Sequence, residues 1–159
     1  MLIIVSESLF ACSCKDQNTV EAEIKYSDAV LVGTILSEKL LTIEDTLKNY
    51  TTIISYDILI QDTYKGEITN DTVTIFSGYG SPACGVDLKI GEKYIIYGKT
   101  RSYTYEKYNY PKQNNAFWTN ICMRTMIYSQ DEITEIENVA EQQKILEELQ
   151  KKLRKHSGG

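Results

Sequence analysis

Residues 29–36 read AVLVGTIL, an almost unbroken apolar run with a single glycine, Gly33, inside it. A short apolar run bounded by turn signals is the pattern of a strand buried in a core, and Ser27-Asp28 supplies the break in front. Gly33 predicts a bulge or bend within that strand. Downstream, Tyr50–Asp62 alternates, with Ile54, Tyr56, Ile58 and Ile60 on one face, and predicts a second long strand. Lys65-Gly66-Glu67 marks a turn, and Asp71–Phe76 (DTVTIF) reads as a third strand. Lys93–Lys99, built on Tyr94, Ile95, Ile96 and Tyr97, predicts a fourth strand, and Trp118–Met126 a fifth. The polar stretch Glu38–Asn49 reads as a loop or hairpin tip.

A helix is predicted near each end. Asn18–Tyr26 (NTVEAEIKY) has Asn18 placed as N-cap and Glu21 three residues on, a capping box. Val20 and Ile24 share one face of it. Ser129 and Glu132 form a second capping box ahead of Glu132–Lys155, rich in Glu, Gln, Lys and Leu. Ile133, Ile136, Val139 and Ala140 make one apolar stripe; Ile145, Leu146, Leu149 and Leu153 make another. The stripes fall out of phase near Glu141-Gln142-Gln143, which predicts a kink or a pair of helices. Five strands with flanking helices predict a mainly β fold, a small five-stranded barrel of the OB type.

The organisation read from the chain is a leader at 1–11, one domain at 12–128, a C-terminal helix at 129–155 and a disordered tail at 156–159. At 159 residues one domain with a sizeable core is the expectation. The composition, 42% apolar and 25% charged, is that of a globular protein. The net charge of -5 disfavours a nucleic-acid partner, which calls for a basic face. No stretch is long and apolar enough to span a bilayer. Catalysis finds little support: the lone His156 lies in the tail, and no motif pairs a nucleophile with a base. No cofactor is implied. The aromatic tract Tyr103, Tyr105, Tyr108 and Tyr110 reads first as cover for a barrel flank or hairpin, and otherwise as an adaptable contact surface.

Met1–Ala11 (MLIIVSESLFA) reads as the end of a secretory signal, with an apolar region and a small residue before a cleavage point. No basic residue precedes Lys15 and Glu7 interrupts the run; a short N-terminal strand or a mobile end is the other reading. Export would make disulfides of the four cysteines, Cys12, Cys14, Cys84 and Cys122. A Cys12–Cys14 ring is disfavoured by bridge geometry, so each reaches either Cys84 or Cys122. A four-thiol metal site is a poor match, because the spacing is not that of paired Cys-x-x-Cys knuckles. Leu9-Phe10-Ala11-Cys12 also matches a bacterial lipoprotein box, which would place lipid on Cys12.

Five pieces taken in order resemble the tissue inhibitors of metalloproteinases, and more broadly the netrin-like OB-fold family. They are Cys12-Ser13-Cys14, AEIKYSDAVLVGTILSEK (22–39), ISYDILIQDTYKG (54–66), SPACGVDLKIGEKYIIYGK (81–99) and the strand carrying Cys122. The resemblance implies the pairings Cys12–Cys84 and Cys14–Cys122. It further implies an exported inhibitor whose mature chain begins at Cys12. The α-amine and carbonyl oxygen of Cys12 would chelate the catalytic zinc of a target metalloprotease, with Ser13 entering the pocket just past the scissile bond. Ser81, Pro82 and Ala83, brought alongside by Cys84, would extend the contact. The animal inhibitors have a further disulfide around the first helix, where this chain has Lys25-Tyr26. Where they have a cysteine-rich second domain, this chain has the Glu132–Lys155 helix. The alternative function is a lipid-anchored extracellular binding module on the same barrel.

Overall fold

The computed structural model of the chain describes residues 14, 19–44, 48–80, 84–100 and 115–156. Their elements run α1 (Val20–Tyr26), β1 (Ala29–Glu44), β2 (Tyr50–Lys65), β3 (Thr72–Gly78), β4 (Lys93–Gly98), β5 (Ala116–Trp118), β6 (Met126–Ile127) and α2 (Gln130–His156). The six strands form one sheet in the order β5-β3-β2-β1-β4-β6. All neighbours are antiparallel except β3 and β5, which run parallel.

The apolar run of β1 is continuous because both of its faces are covered. Ala29, Leu31 and Ile35 point into an inner cluster with Tyr56, Ile58 and Ile96. Val30 and Val32 point the other way, into a second cluster with Val20 and Ile24 of α1 and Ile133 and Ile136 of α2. Alternate residues of one strand thus feed two cores. Gly33 sits at a register shift between β1 and β2, as the sequence predicts. A Cβ there would lie 2.5 Å from Ile58 Cγ2 and 2.6 Å from Leu59 O.

The sheet curls until its β5 end meets the C-terminal end of β4. There Lys99 and Trp118 form an antiparallel bridge, with reciprocal backbone bonds of 2.9 and 2.7 Å. The strand order is that of the expected OB barrel. Closure, however, is this single bridge rather than a full ladder, so the sheet is not a closed barrel. The expected fifth strand, Trp118–Met126, is also corrected: it splits into β5 and β6. Between the Lys99–Trp118 and Ile95–Met126 pairs the chain gains eight residues while β4 gains four. The excess is looped out as a turn over residues 119–125.

Two further boundaries move. Glu38–Glu44 belongs to β1, which pairs with β2 as far as Glu44–Tyr50, so the polar stretch is a strand hairpin. Lys39 and Ser37 there are exposed, and cross-strand bonds such as Ser37 Oγ to Asp57 Oδ2 at 2.9 Å replace apolar cover. The cap of α1 is Thr19, whose side chain accepts from Ala22 N at 3.2 Å; Asn18 lies outside the described residues. At the other end of α1, Lys65 Nζ donates to Ile24 O at 2.6 Å and Lys99 Nζ to Tyr26 O at 2.6 Å. Two cations from β2 and the end of β4 thereby satisfy orphan carbonyls and complement the helix dipole. α2 is a single continuous helix across Glu141-Gln142-Gln143.

Candidate functional site

Of the residues singled out in the sequence, Cys14, Cys84 and Cys122 are described. Cys12, Ser13, Ser81, Pro82 and Ala83 lie outside the described residues, as do residues 1–11 and the tyrosines at 103, 105, 108 and 110. Cys14 is exposed and bonded to Cys122, with the Cα atoms 5.1 Å apart across 108 residues of sequence. Cys84 is disulfide-bonded too. The Cys12–Cys84 pairing itself falls outside the described residues.

The looped-out turn presents Cys122. Asn120 builds it: its side-chain Oδ1 accepts from Cys122 N at 2.8 Å and its backbone O from Met123 N at 3.0 Å. Asparagine suits such a turn because its side chain substitutes for a backbone partner. Thr119 Oγ1 and Thr125 Oγ1, 2.7 Å apart, close the base of the excursion. Thr125 Oγ1 in turn accepts from Tyr97 N at 3.0 Å, so the turn is tied to β4.

Cys84 reaches the same place from the segment that follows β3. Ile121 N donates to Cys84 O at 3.0 Å, which sets Cys84 directly beside the Cys122 turn. Cys84 is left-handed (φ 53°), a conformation uncommon for a residue with a side chain. The following Gly85 lies so close to β3 that a Cβ on it would be 1.7 Å from Gly78 O. Only glycine allows that approach.

Two buried hydroxyls hold the Cys84 segment down. Ser77 Oγ donates to Thr119 O at 3.0 Å and accepts from Val86 N at 3.0 Å, joining β3, the Cys84 segment and the Cys122 turn at one atom. Tyr56 OH donates to Val86 O at 3.1 Å and accepts from Leu88 N at 3.3 Å. Burial pushes the Tyr56 phenol above its ordinary pKa. Neither residue is assigned to the site by the sequence. Serine at the end of a strand and tyrosine in an alternating run read there as ordinary strand residues. A cleft of about 400 Å³ lies between β2, β3 and this segment, with Tyr56, Tyr79 and Asp87 on its wall. Tyr79 and Gly80, exposed, lead directly into residues 81–83.

Charge secures the exit of the turn. Arg124 Nε donates to Glu132 Oε1 at 2.8 Å, and Tyr97 OH donates to the same oxygen at 2.8 Å. Burial works to raise the Glu132 pKa, but bonds from Arg124 and Tyr97 outweigh it and hold the carboxyl below its ordinary value. The second expected capping box is therefore half made. Ser129 Oγ accepts from Glu132 N at 3.5 Å, while the Glu132 side chain is spent on Arg124 and Tyr97. Beside this network, Glu23 of α1 is fully buried; Ser27 Oγ donates to its Oε1 at 3.3 Å, and its Oε2 has no hydrogen-bond partner among the described residues. Burial raises its pKa.

The arrangement can bind but offers no reaction centre among the described residues: it is a rigid edge where remote cysteines converge on one end of an OB-type sheet. That defines a disulfide-anchored β module with a cysteine-tethered N-terminal segment. The chain belongs to the tissue inhibitor of metalloproteinase family, whose model matches residues 10–107, well over half of it. The match takes in Cys12, Cys14 and Cys84 and ends before the Cys122 turn. Members of this family are inhibitors rather than enzymes, are typically extracellular, and have metalloproteinases as partners. No curated protein matches the chain.

Proposed function

We propose that this protein is a secreted inhibitor of a zinc metalloendopeptidase, acting by binding through Cys12-Ser13-Cys14 with Ser81-Pro82-Ala83 alongside. The observation that carries the reading is the 3.0 Å bond from Ile121 N to Cys84 O next to the Cys14–Cys122 bridge. It puts the anchor points of both expected disulfides on adjoining backbone, so a segment tied at Cys12 and Cys14 is held at both ends. Such preorganisation lowers the ordering cost of binding.

In this reading the α-amine and carbonyl oxygen of Cys12 displace water from the open position of the partner's zinc. A terminal amine has a pKa of about 8, so a useful fraction is neutral at physiological pH. Ser13 enters the neighbouring pocket and contributes polarity more than apolar area. The metal belongs to the partner. The disulfide at Cys84 supports this reading over the lipid-anchored module, because a lipidated Cys12 would leave Cys84 without that bond.

The test combines processing and inhibition. Intact mass and N-terminal sequencing of protein exported by a native-type host should show a chain starting at unmodified Cys12, lighter by four hydrogens than its reduced form. That protein should inhibit at least one member of a broad zinc-metalloprotease panel, and one extra alanine ahead of Cys12 should abolish the effect. Acyl and glyceryl mass on Cys12, or a correctly processed chain that leaves the whole panel untouched, would sink the proposal.

A further inference from the structure

Glu23 is an ionisable group in the interior that the inhibitory edge does not use. It is fully buried, with Ser27 Oγ 3.3 Å from Oε1 and no hydrogen-bond partner for Oε2 among the described residues. The cations around it are committed elsewhere. The Arg124 guanidinium bonds Glu132 of α2, and Lys99 Nζ, after β4, bonds Tyr26 O and Asp28 Oδ1. Lys65 of β2 donates to the carbonyls of Ile24 and Ser27, and Tyr97 of β4 donates its hydroxyl to Glu132. Burial outweighs what favours the Glu23 anion, which is the Ser27 bond, the backbone N–H and charge of Arg124, and the charge of Lys99. An apolar side chain would fill the space without that cost.

The place of this carboxyl ties it to the binding segment. Arg124 follows Cys122 by two residues, and Cys122 is bonded to Cys14. Only four residues separate Cys14 from Thr19, the cap of α1. The N-terminal segment and the Cys122 turn are thus joined twice, once by the disulfide and once by α1, whose Glu23 faces Arg124. With seven residues α1 is too short to persist in water by itself. Its seat is the packing of Val20 and Ile24 against Met123 and Ile133.

We propose that Glu23 is a proton-operated latch: protonated, it lets α1 seat against the Cys122 turn, and ionised, it loosens that seat and with it the cysteine-tethered segment. As regulation of the inhibitory edge this rests on the inhibitor reading; the latch itself does not. Below about pH 4.5 the carboxyl holds its proton whether α1 is seated or released. Between that value and the raised one of the seated state, release sheds a proton, so the ratio of released to seated α1 grows about tenfold per pH unit. Above the raised value the growth stops. A looser segment loses preorganisation, so binding weakens as pH rises.

Hydrogen exchange on the full oxidised chain, read as protection factors of the α1 amides from pH 4 to 8, should show protection falling about tenfold per unit across the titrating range. Glu23→Gln should keep its pH 4 protection throughout. Ser27→Ala removes a bond to the anion and should carry the fall to higher pH. Reduction of the Cys14–Cys122 bridge by a phosphine should quicken with pH relative to Glu23→Gln. On one zinc endopeptidase, the wild-type inhibition constant divided by that of Glu23→Gln should be near one at pH 4 and rise by about tenfold or more at pH 8. That ratio cancels the titration of the enzyme and of the Cys12 amine, which acts in the opposite direction. Protection that does not change in the wild type, or falls equally in Glu23→Gln, overturns the latch. Falling protection with an unchanging ratio overturns its part in inhibition. A chain that inhibits nothing while α1 still releases with pH sinks the inhibitor reading and leaves the latch standing.

Discussion

At the scale of single residues the site depends on a glycine and two carboxyls. Gly85 is where the Cys84 segment touches β3, and a methyl group there meets Gly78 O at 1.7 Å. Gly85→Ala should cost about 2 kcal/mol or more, in the range of overpacking, and displace Cys84. Denaturant unfolding gives the cost; easier reduction of the disulfide at Cys84, read as thiol release against a dithiothreitol series, gives the displacement. Glu23 and Glu132 should respond to pH with opposite signs. The raised pKa of Glu23 means that the native state holds its proton more tightly than the unfolded chain. Its contribution to stability therefore falls as pH rises from about 4.5 towards the raised value. Glu23→Gln should raise the melting temperature at pH 7 by about 2–4 °C, corresponding to about 1 kcal/mol, and change little at pH 4. Glu132, held low by Arg124 and Tyr97, contributes stability that is present above about pH 4.5 and lost as pH drops through its lowered value. Arg124→Ala should destabilise by about 2–3 kcal/mol at pH 7 and by much less at pH 3, read from melting curves at both.

At the scale of elements the decisive piece is the looped-out turn between β5 and β6. Asn120→Ala removes the acceptor for Cys122 N and should cost about 1 kcal/mol. It should also make the Cys14–Cys122 bridge easier to reduce, measured by thiol release against a dithiothreitol series. That turn shows where sequence reading ends. The buried run of β1, the bulge at Gly33, and both helices are written in apolar periodicity, which any one segment carries alone. The split of Trp118–Met126 is not, because Thr119 and Thr125 read as strand residues until their hydroxyls are seen bonded to each other and to Tyr97. Glu38–Glu44 misled for a related reason. Polar residues make a strand when a partner strand supplies the cross-bonds, and that partner lies outside the segment, from Glu38 paired with Tyr56 to Glu44 paired with Tyr50. The three described cysteines were legible as anchors, but Ser77 and Tyr56, which hold the Cys84 segment, were not. A hydroxyl has no signature until it is known to be buried.

At the scale of the whole molecule three apolar clusters share one sheet among the described residues, with α1 fastened over the one it helps to form by Lys65 and Lys99. Lys99 also belongs to the bridge with Trp118, so the same residue joins the curl of the sheet to the seat of the helix. The sequence separation of 108 between Cys14 and Cys122 carries a consequence in time. Contacts so remote in sequence form late, since the chain between them must first be brought to order. Hairpin pairing of β1 with β2 needs only its own neighbourhood. A newly made or reduced chain can therefore complete its strands while its leading segment still wanders. Oxidation that arrives early meets thiols not yet sorted into neighbours, and mispairing is the expected product. The segment proposed to do the binding is then the last part of the molecule to come into existence.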